Sequence, residues 1–219
     1  MATLLMRLDA PMQAWGTQSH FSNRDTGREP SKSGIIGLLC AALGRPQHEP
    51  MDDLFRNLVE LKMGVRIDQE GVIRKDYHTA GIDGIYGVDG KRQGVMLSDR
   101  YYLSDAKFLV GLEGDKPFLE YLQNALQNPV WFLFLGRKSF IPATRIWLKD
   151  GIQDADIIGC FEKYPWLVQS GVSAPDKLRV VVDDPHGSVV VNDVPLSFAP
   201  RKFLPRRVST HFIEFQGAK

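Results

Sequence analysis

Apolar residues along the chain fall into short blocks with two different periods. Thr3 to Leu8 is a short, largely apolar run that reads as a first strand, and it leads into a loop carrying Pro11 and Gly16. Residues 17–32 are polar. Ser33 then stands as an N-cap before Ile35, Ile36, Leu38, Leu39, Ala41, Ala42 and Leu43, with Gly44 where a C′ residue belongs. That pattern predicts a helix apolar nearly all round, which must lie on a sheet with little exposed face. Met51 to Leu61 predicts a second helix: Leu54, Leu58 and Leu61 recur at spacings of four and three, with Asp52 and Asp53 at its positive end. Lys62–Ile67 and Val72–Tyr77 read as strands flanking a turn at Asp68–Gly71.

Residues 79–98 are weakly hydrophobic and carry Gly81, Gly84, Gly87, Gly90 and Gly94, so they supply little core. Order resumes over Arg100–Leu112. Pro117 opens a helix to about Leu126 with Phe118, Leu122 and Leu126 inward, and Val130–Leu135 has the composition of a buried closing strand. Further short strands are expected at Leu178–Val182, Ser188–Val191 and Thr210–Phe215. Strand, helix, strand, strand, helix, strand is the ferredoxin-like βαββαβ plan of an α+β protein. The division that follows is a palm over 1–78 and 105–150, an inserted β-hairpin or loop thumb over 79–104, and a small β-rich C-terminal part over 151–219 packed on the palm.

Composition changes this picture only a little. The 219 residues are 43% hydrophobic and 24% charged, enough for a core that needs no staple. The two cysteines, Cys40 and Cys160, form no CxxC pair, which argues against a zinc site or a disulfide framework and for two small buried hydrophobes. The apolar N-terminal run, interrupted by Arg7 and Asp9, is too short for a signal peptide or membrane span, so a cytoplasmic location is expected.

The net charge is +1, but its distribution is uneven. Arg137–Lys149 holds Arg137, Lys138, Arg145 and Lys149 without a carboxylate, and Arg201–Arg207 holds Arg201, Lys202, Arg206 and Arg207 likewise. Acids gather at Glu49, Asp52 and Asp53, at Asp150, Asp154 and Asp156, and at Asp183 and Asp184. Such segregation offers one face to phosphates and another to protein partners, unless it is chance clustering of solvated surface.

Four segments carry chemistry. In Pro30-Ser-Lys-Ser-Gly-Ile-Ile-Gly-Leu-Leu39 a helix N-terminus with Lys32 and Ser33 makes a phosphate site, or else a plain capped helix with Lys32 solvated; Arg24 lies upstream. In Leu135-Gly-Arg-Lys-Ser-Phe-Ile-Pro142, Gly136 admits a close backbone approach, Arg137 and Lys138 bring charge and Ser139 a hydroxyl; the alternative is a basic surface turn. In Leu8-Asp-Ala-Pro-Met-Gln-Ala-Trp-Gly16, Gln13 suits a base edge and Trp15 a base face, with core packing as the rival reading. In Asp76-Tyr-His-Thr79, Tyr77 and His78 either meet RNA or pack the root of the insertion.

In this order and spacing the segments resemble the CasD family of type I-E CRISPR systems, within the RAMP superfamily of ferredoxin-like RNA binders. The similarity runs from the first strand to about residue 148, with a looser echo in Pro200-Arg-Lys-Phe203. The resemblance implies a non-catalytic subunit of a Cascade complex that holds the 5′ handle of the guide crRNA. Its implied partners are a backbone subunit of the CasC type and a large subunit of the CasA type, with target DNA met only indirectly and no membrane. No cofactor and no metal are implied. The implied RNA-binding residues are Gln13, Trp15, Arg24, Lys32, Ser33, Tyr77, His78, Gly136, Arg137, Lys138 and Ser139.

A rival function is metal-independent endoribonuclease action on CRISPR repeat RNA, with Tyr77, His78 and Lys138 as its candidates. Against it, no compact Lys-His pair follows the second helix, and His20, His48, His186 and His211 have no spacing that suggests a shared site. A generic RNA-recognition module would place aromatics on the two central strands, and Lys62–Ile67 has none.

Overall fold

A computed structural model describes residues 1–18, 22–81, 84–86, 89–168, 171 and 173–214. In chain order the elements are β1 (Ala2–Asp9), β2 (Met12–Gln13), β3 (Asn23–Arg24), α1 (Lys32–Ala42), α2 (Asp53–Glu60), β4 (Lys62–Gln69), β5 (Val72–Ala80), β6 (Ile85–Tyr86), β7 (Arg92–Gln93), β8 (Met96–Ser104), β9 (Lys107–Gly114), α3 (Lys116–Gln127), β10 (Trp147–Gln153), α4 (Ile157–Lys163), β11 (Lys177–Asp183), β12 (Val189–Phe198) and β13 (Arg201–Glu214).

Seven strands make one antiparallel sheet in the order β10-β1-β9-β4-β11-β13-β12. The period-2 alternation of its central strands sorts the core. Leu4, Met6 and Leu8 of β1, Phe108, Val110 and Leu112 of β9, and Met63, Val65 and Ile67 of β4 point to the face covered by α1 and α3. Leu5, Leu109, Val180 and Val182 point the other way, where α4 adds Ile157, Cys160 and Phe161. At about 1.5–3 kcal/mol for each fully buried large apolar side chain, both faces hold the sheet. Gly64 and Gly111 lie under α4 because a Cβ at either would press on Phe161. The C-terminal strands join the same sheet edge to edge, through β11 on β4.

A second, four-stranded sheet stands beside the first. β8 pairs with β5 along Val72–Ala80, with β2 at Met12–Gln13, and in parallel with β3 at Asn23–Arg24. β5 is exposed along most of both faces, and the glycine-rich segment lies between β5 and β8. The expected stretch Arg100–Leu112 is therefore two strands of two different sheets. Asp105, at φ 58°, makes the break, a left-handed conformation that Asp tolerates better than most residues.

Three other expectations are corrected. The N-cap of α1 is Ser31, not Ser33: its side chain accepts from the Gly34 N–H, and the helix begins at Lys32. Val130–Leu135 is no strand. Its N–H groups at Val130 and Trp131 donate to the Ala42 and Ala41 carbonyls, so it caps the C-terminus of α1 with Trp131 and Phe132 exposed. The strand that follows α3 is instead β10, and α4 follows it unforeseen. In α3 it is Leu119 that is buried with Leu122 and Leu126, while Phe118 is half-buried. Gly87, His20 and Phe215 lie outside the described residues.

Candidate nucleic-acid interface

The basic loop after α3 is a tight turn. Phe140 N–H donates to the Arg137 carbonyl and Leu135 N–H to the Phe140 carbonyl, each at 2.8 Å. Leu135 is buried and its carbonyl accepts from Ala14 N–H at 3.1 Å, which ties the loop to the end of β2. Gly136 has φ +92°, and a Cβ there would collide with the Ala14 carbonyl, so glycine is demanded by this internal contact. The turn leaves Lys138 and Ser139 exposed at its tip.

Arg137 leans the other way. Its guanidinium donates to the Tyr101 carbonyl at 2.8 Å and the Arg24 carbonyl at 3.3 Å, and lies 5.4 Å from the Phe140 ring centre. Phe140 in turn meets Tyr102 at 5.8 Å. The loop is thereby fastened to β8 and β3. β3 pairs Arg24 with Arg100, and β5 sets Asp76 opposite Arg100, so the three arginines converge, with Asp76 and Asp25 as the acids that bear on Arg137. Burial, and then the neighbouring Arg100 charge, hold the Arg137 guanidinium below its ordinary pKa. An anion placed here relieves that like-charge crowding. Sequence reading missed Arg100; its only signal is the polar position it takes in the alternation of β8.

Tyr77 and His78 sit on β5 opposite Asp99 and Ser98. Strand alternation turns them to opposite faces of the hairpin, with Tyr77 60% exposed.

The structure does not bring Gln13, Trp15 and Lys32 to this surface. Gln13 is fully buried, donating to the Leu8 and Ala106 carbonyls and accepting from the Trp15 indole N–H at 3.1 Å. Trp15 is 2% exposed and packs on α1, where Gly34 makes room for its ring. Both side chains are spent inside the protein, one satisfying buried polar groups and one filling core. Lys32 is buried and its Nζ pairs with Asp183 at 3.1 Å, while its N–H donates to Asp193 at 2.7 Å. With Ser31 on the Gly34 N–H, the α1 N-terminus already holds a hydroxyl and a carboxylate where a phosphate was expected. Ser33 is half-buried, 3.4 Å from the Ser31 hydroxyl.

Among the described residues no group of His, Cys, Asp and Glu is arranged to hold a metal, and no helix is long and apolar enough to cross a membrane. His48, His186 and His211 are exposed on separate elements.

A family model described as "CRISPR-associated protein (Cas_Cas5)" matches residues 3–209. The CRISPR system Cascade subunit CasD of Escherichia coli strain K12 is 31% identical over 147 residues, which is 62% of this chain and 65% of that protein. Two solved structures superpose at a TM-score of 0.79 each. One, a crystal structure of a Cas protein, is 39% identical and covers 99% of this chain and 97% of its own. The other, from a CRISPR RNA-guided surveillance complex, is 30% identical and covers 97% and 90%.

Proposed function

The chain belongs to the CRISPR-associated Cas5 family, and on that premise we propose that it is a non-catalytic Cascade subunit that grips the 5′ handle of the guide crRNA. The observation that carries the reading is the cationic locus where Arg24, Arg100 and Arg137 converge beside the exposed loop tip Lys138–Ser139. Phosphate contacts of this kind supply affinity without chemistry. The antiparallel order β10-β1-β9-β4, with helices between β1 and β4 and between β9 and β10, supports a ferredoxin-like palm. The glycine-rich segment over 79–104, borne on β5 and β8, serves as the thumb that reaches the CasC-type backbone subunit. Cleavage is disfavoured because neighbouring Tyr77 and His78 face opposite ways and cannot act on one ribose.

Lys138→Ala tests the reading cleanly, since its side chain is exposed. In assembled complexes titrated with salt, each lost contact should lower the slope of log affinity against log salt by about 0.7 for a single strand. A variant with the wild-type slope and affinity, or assembly around guides lacking the 5′ segment at the wild-type rate, overturns it.

A further inference from the structure

The hairpin that carries the glycine-rich segment bends away from the main sheet at one level. β4 runs into β5 and β8 into β9, and both crossings pass through left-handed backbone, at Gly71 with φ +72° and at Asp105 with φ 58°. The kink is close-fitting: a Cβ on Gly71 would press on Ala106 and on the Ser104 carbonyl. Gln69 donates across it to the Asp105 carbonyl at 2.6 Å, and the Ser104 hydroxyl to the Val72 carbonyl at 3.3 Å. Beyond it β5 and β8 pair without interruption from Val72 and Ser104 to Ala80 and Met96, so the hairpin moves as one ribbon. Two facing kinks at the root of a ribbon make a hinge.

Little packing sets the angle of that hinge, because β5 is exposed along most of its length. The pairing of β2 lies at the hinge itself, opposite Leu103 and Ser104, and β3 is two exposed residues long. The outer hold therefore falls on Arg137. One of its guanidinium nitrogens donates to carbonyls of two strands at once, Tyr101 of β8 at 2.8 Å and Arg24 of β3 at 3.3 Å. Phe140 backs it, with a ring 5.4 Å from the guanidinium and 5.8 Å from that of Tyr102, again on β8. A donor already shared by two carbonyls must leave them to take a phosphate. Lys138 and Ser139, exposed at the loop tip, carry no such engagement with the hairpin.

We propose that Arg137 is a positioning residue: it latches the hairpin to the basic loop, so that the loop's grip on the guide and the angle of the hairpin are set together. The inference rests on the guide-binding reading and makes Arg137 a brace within it. A phosphate held at Lys138 offsets the Arg24 and Arg100 charges that crowd the latch, and so tightens it.

Arg137→Lys separates brace from contact. Lysine keeps the charge and serves a phosphate as a point charge, but it has no planar fork to span two carbonyls or to lie on Phe140. Nitroxide labels on Thr79→Cys in β5 and Glu120→Cys in α3, both exposed while Cys40 and Cys160 are buried, read the hairpin angle by double electron–electron resonance in the full chain. Wild type should give one narrow distance and Arg137→Lys a broadened one. Amides of β8 should exchange about tenfold faster in the variant, the loss expected for one hydrogen bond to a charged group. In assembled complexes it should bind guide about tenfold more weakly at an unchanged salt slope, since no charge is lost. Should Arg137→Lys not fold, Phe140→Leu, which removes the ring behind the latch, carries the same distance test.

The latch falls alone if Arg137→Lys keeps the wild-type distance, or binds guide like wild type, while Lys138→Ala still weakens binding. A lowered salt slope in Arg137→Lys also overturns it, by making Arg137 a phosphate contact. If Lys138→Ala is silent while Arg137→Lys still broadens the distance, the guide-binding reading falls and takes the coupling with it, leaving a brace on the hairpin alone.

Discussion

Replacing Asp193 by alanine tests how α1 is anchored to the C-terminal strands. Asp193 is 1% exposed, accepts the Lys32 N–H, and takes the Arg206 guanidinium on both oxygens at 2.7 and 2.9 Å. Arg206 also reaches Asp183, which receives Lys32 Nζ and the Met63 N–H at 2.9 Å. Burial works against the Arg206 charge, yet the two carboxylates hold its pKa above the ordinary value. Breaking a buried pair by deleting one partner costs roughly 3–5 kcal/mol. Because Asp183 stays with Arg206, the lower end applies, about 3 kcal/mol, orphaned Lys32 amide included. For a chain of this length that lowers the melting temperature by roughly 6–12 °C.

Arg206→Met removes the stranded cation and leaves Lys32 and Asp183 as a neutral pair. The double variant Asp193→Ala/Arg206→Met should therefore cost less than the sum of the singles, by about 1–3 kcal/mol. Urea unfolding followed by far-ultraviolet circular dichroism measures all three. A single-variant cost under about 1 kcal/mol, or strict additivity, refutes the reasoning.

Two further predictions concern the loop and a buried thiol. Gly136→Ala, at φ +92° and against the Ala14 carbonyl, should cost about 2 kcal/mol or more and weaken guide binding, measured by the same unfolding and by filter binding; wild-type stability would refute the steric account. Burial pushes the Cys40 thiol up to about 11, so native protein at pH 8 should leave Cys40 unalkylated by iodoacetamide until urea is added, with mass spectrometry as the readout. Labelling of the native state at the rate of a free cysteine would contradict it.

The sequence showed the elements whose period is strong and whose ends are punctuated. α1, α2 and α3 and strands β1, β4 and β5 come within a few residues of expectation, because apolar spacing, Gly44 and Pro117 act locally. Val130–Leu135 misled because an apolar run reads the same whether it enters a sheet or caps a helix; only the Ala41 and Ala42 carbonyls decide. Lys32, Gln13 and Trp15 misled for a related reason. Their partners, Asp183, Asp193, Ala106 and α1, are fixed by the tertiary fold, and nothing at the neighbouring positions announces them. The basic loop was legible as charge, whereas the reason for its glycine and the place of Arg100 needed coordinates.

The clamp on Lys32 has a consequence in time. Ribosomes release the N-terminal half first. A nascent chain can form α1 early, but the helix has no anchored start until Asp193 and Arg206, more than 150 residues downstream, have emerged. The surface α1 helps to build thus matures only near the end of synthesis, when the last strands can close the clamp.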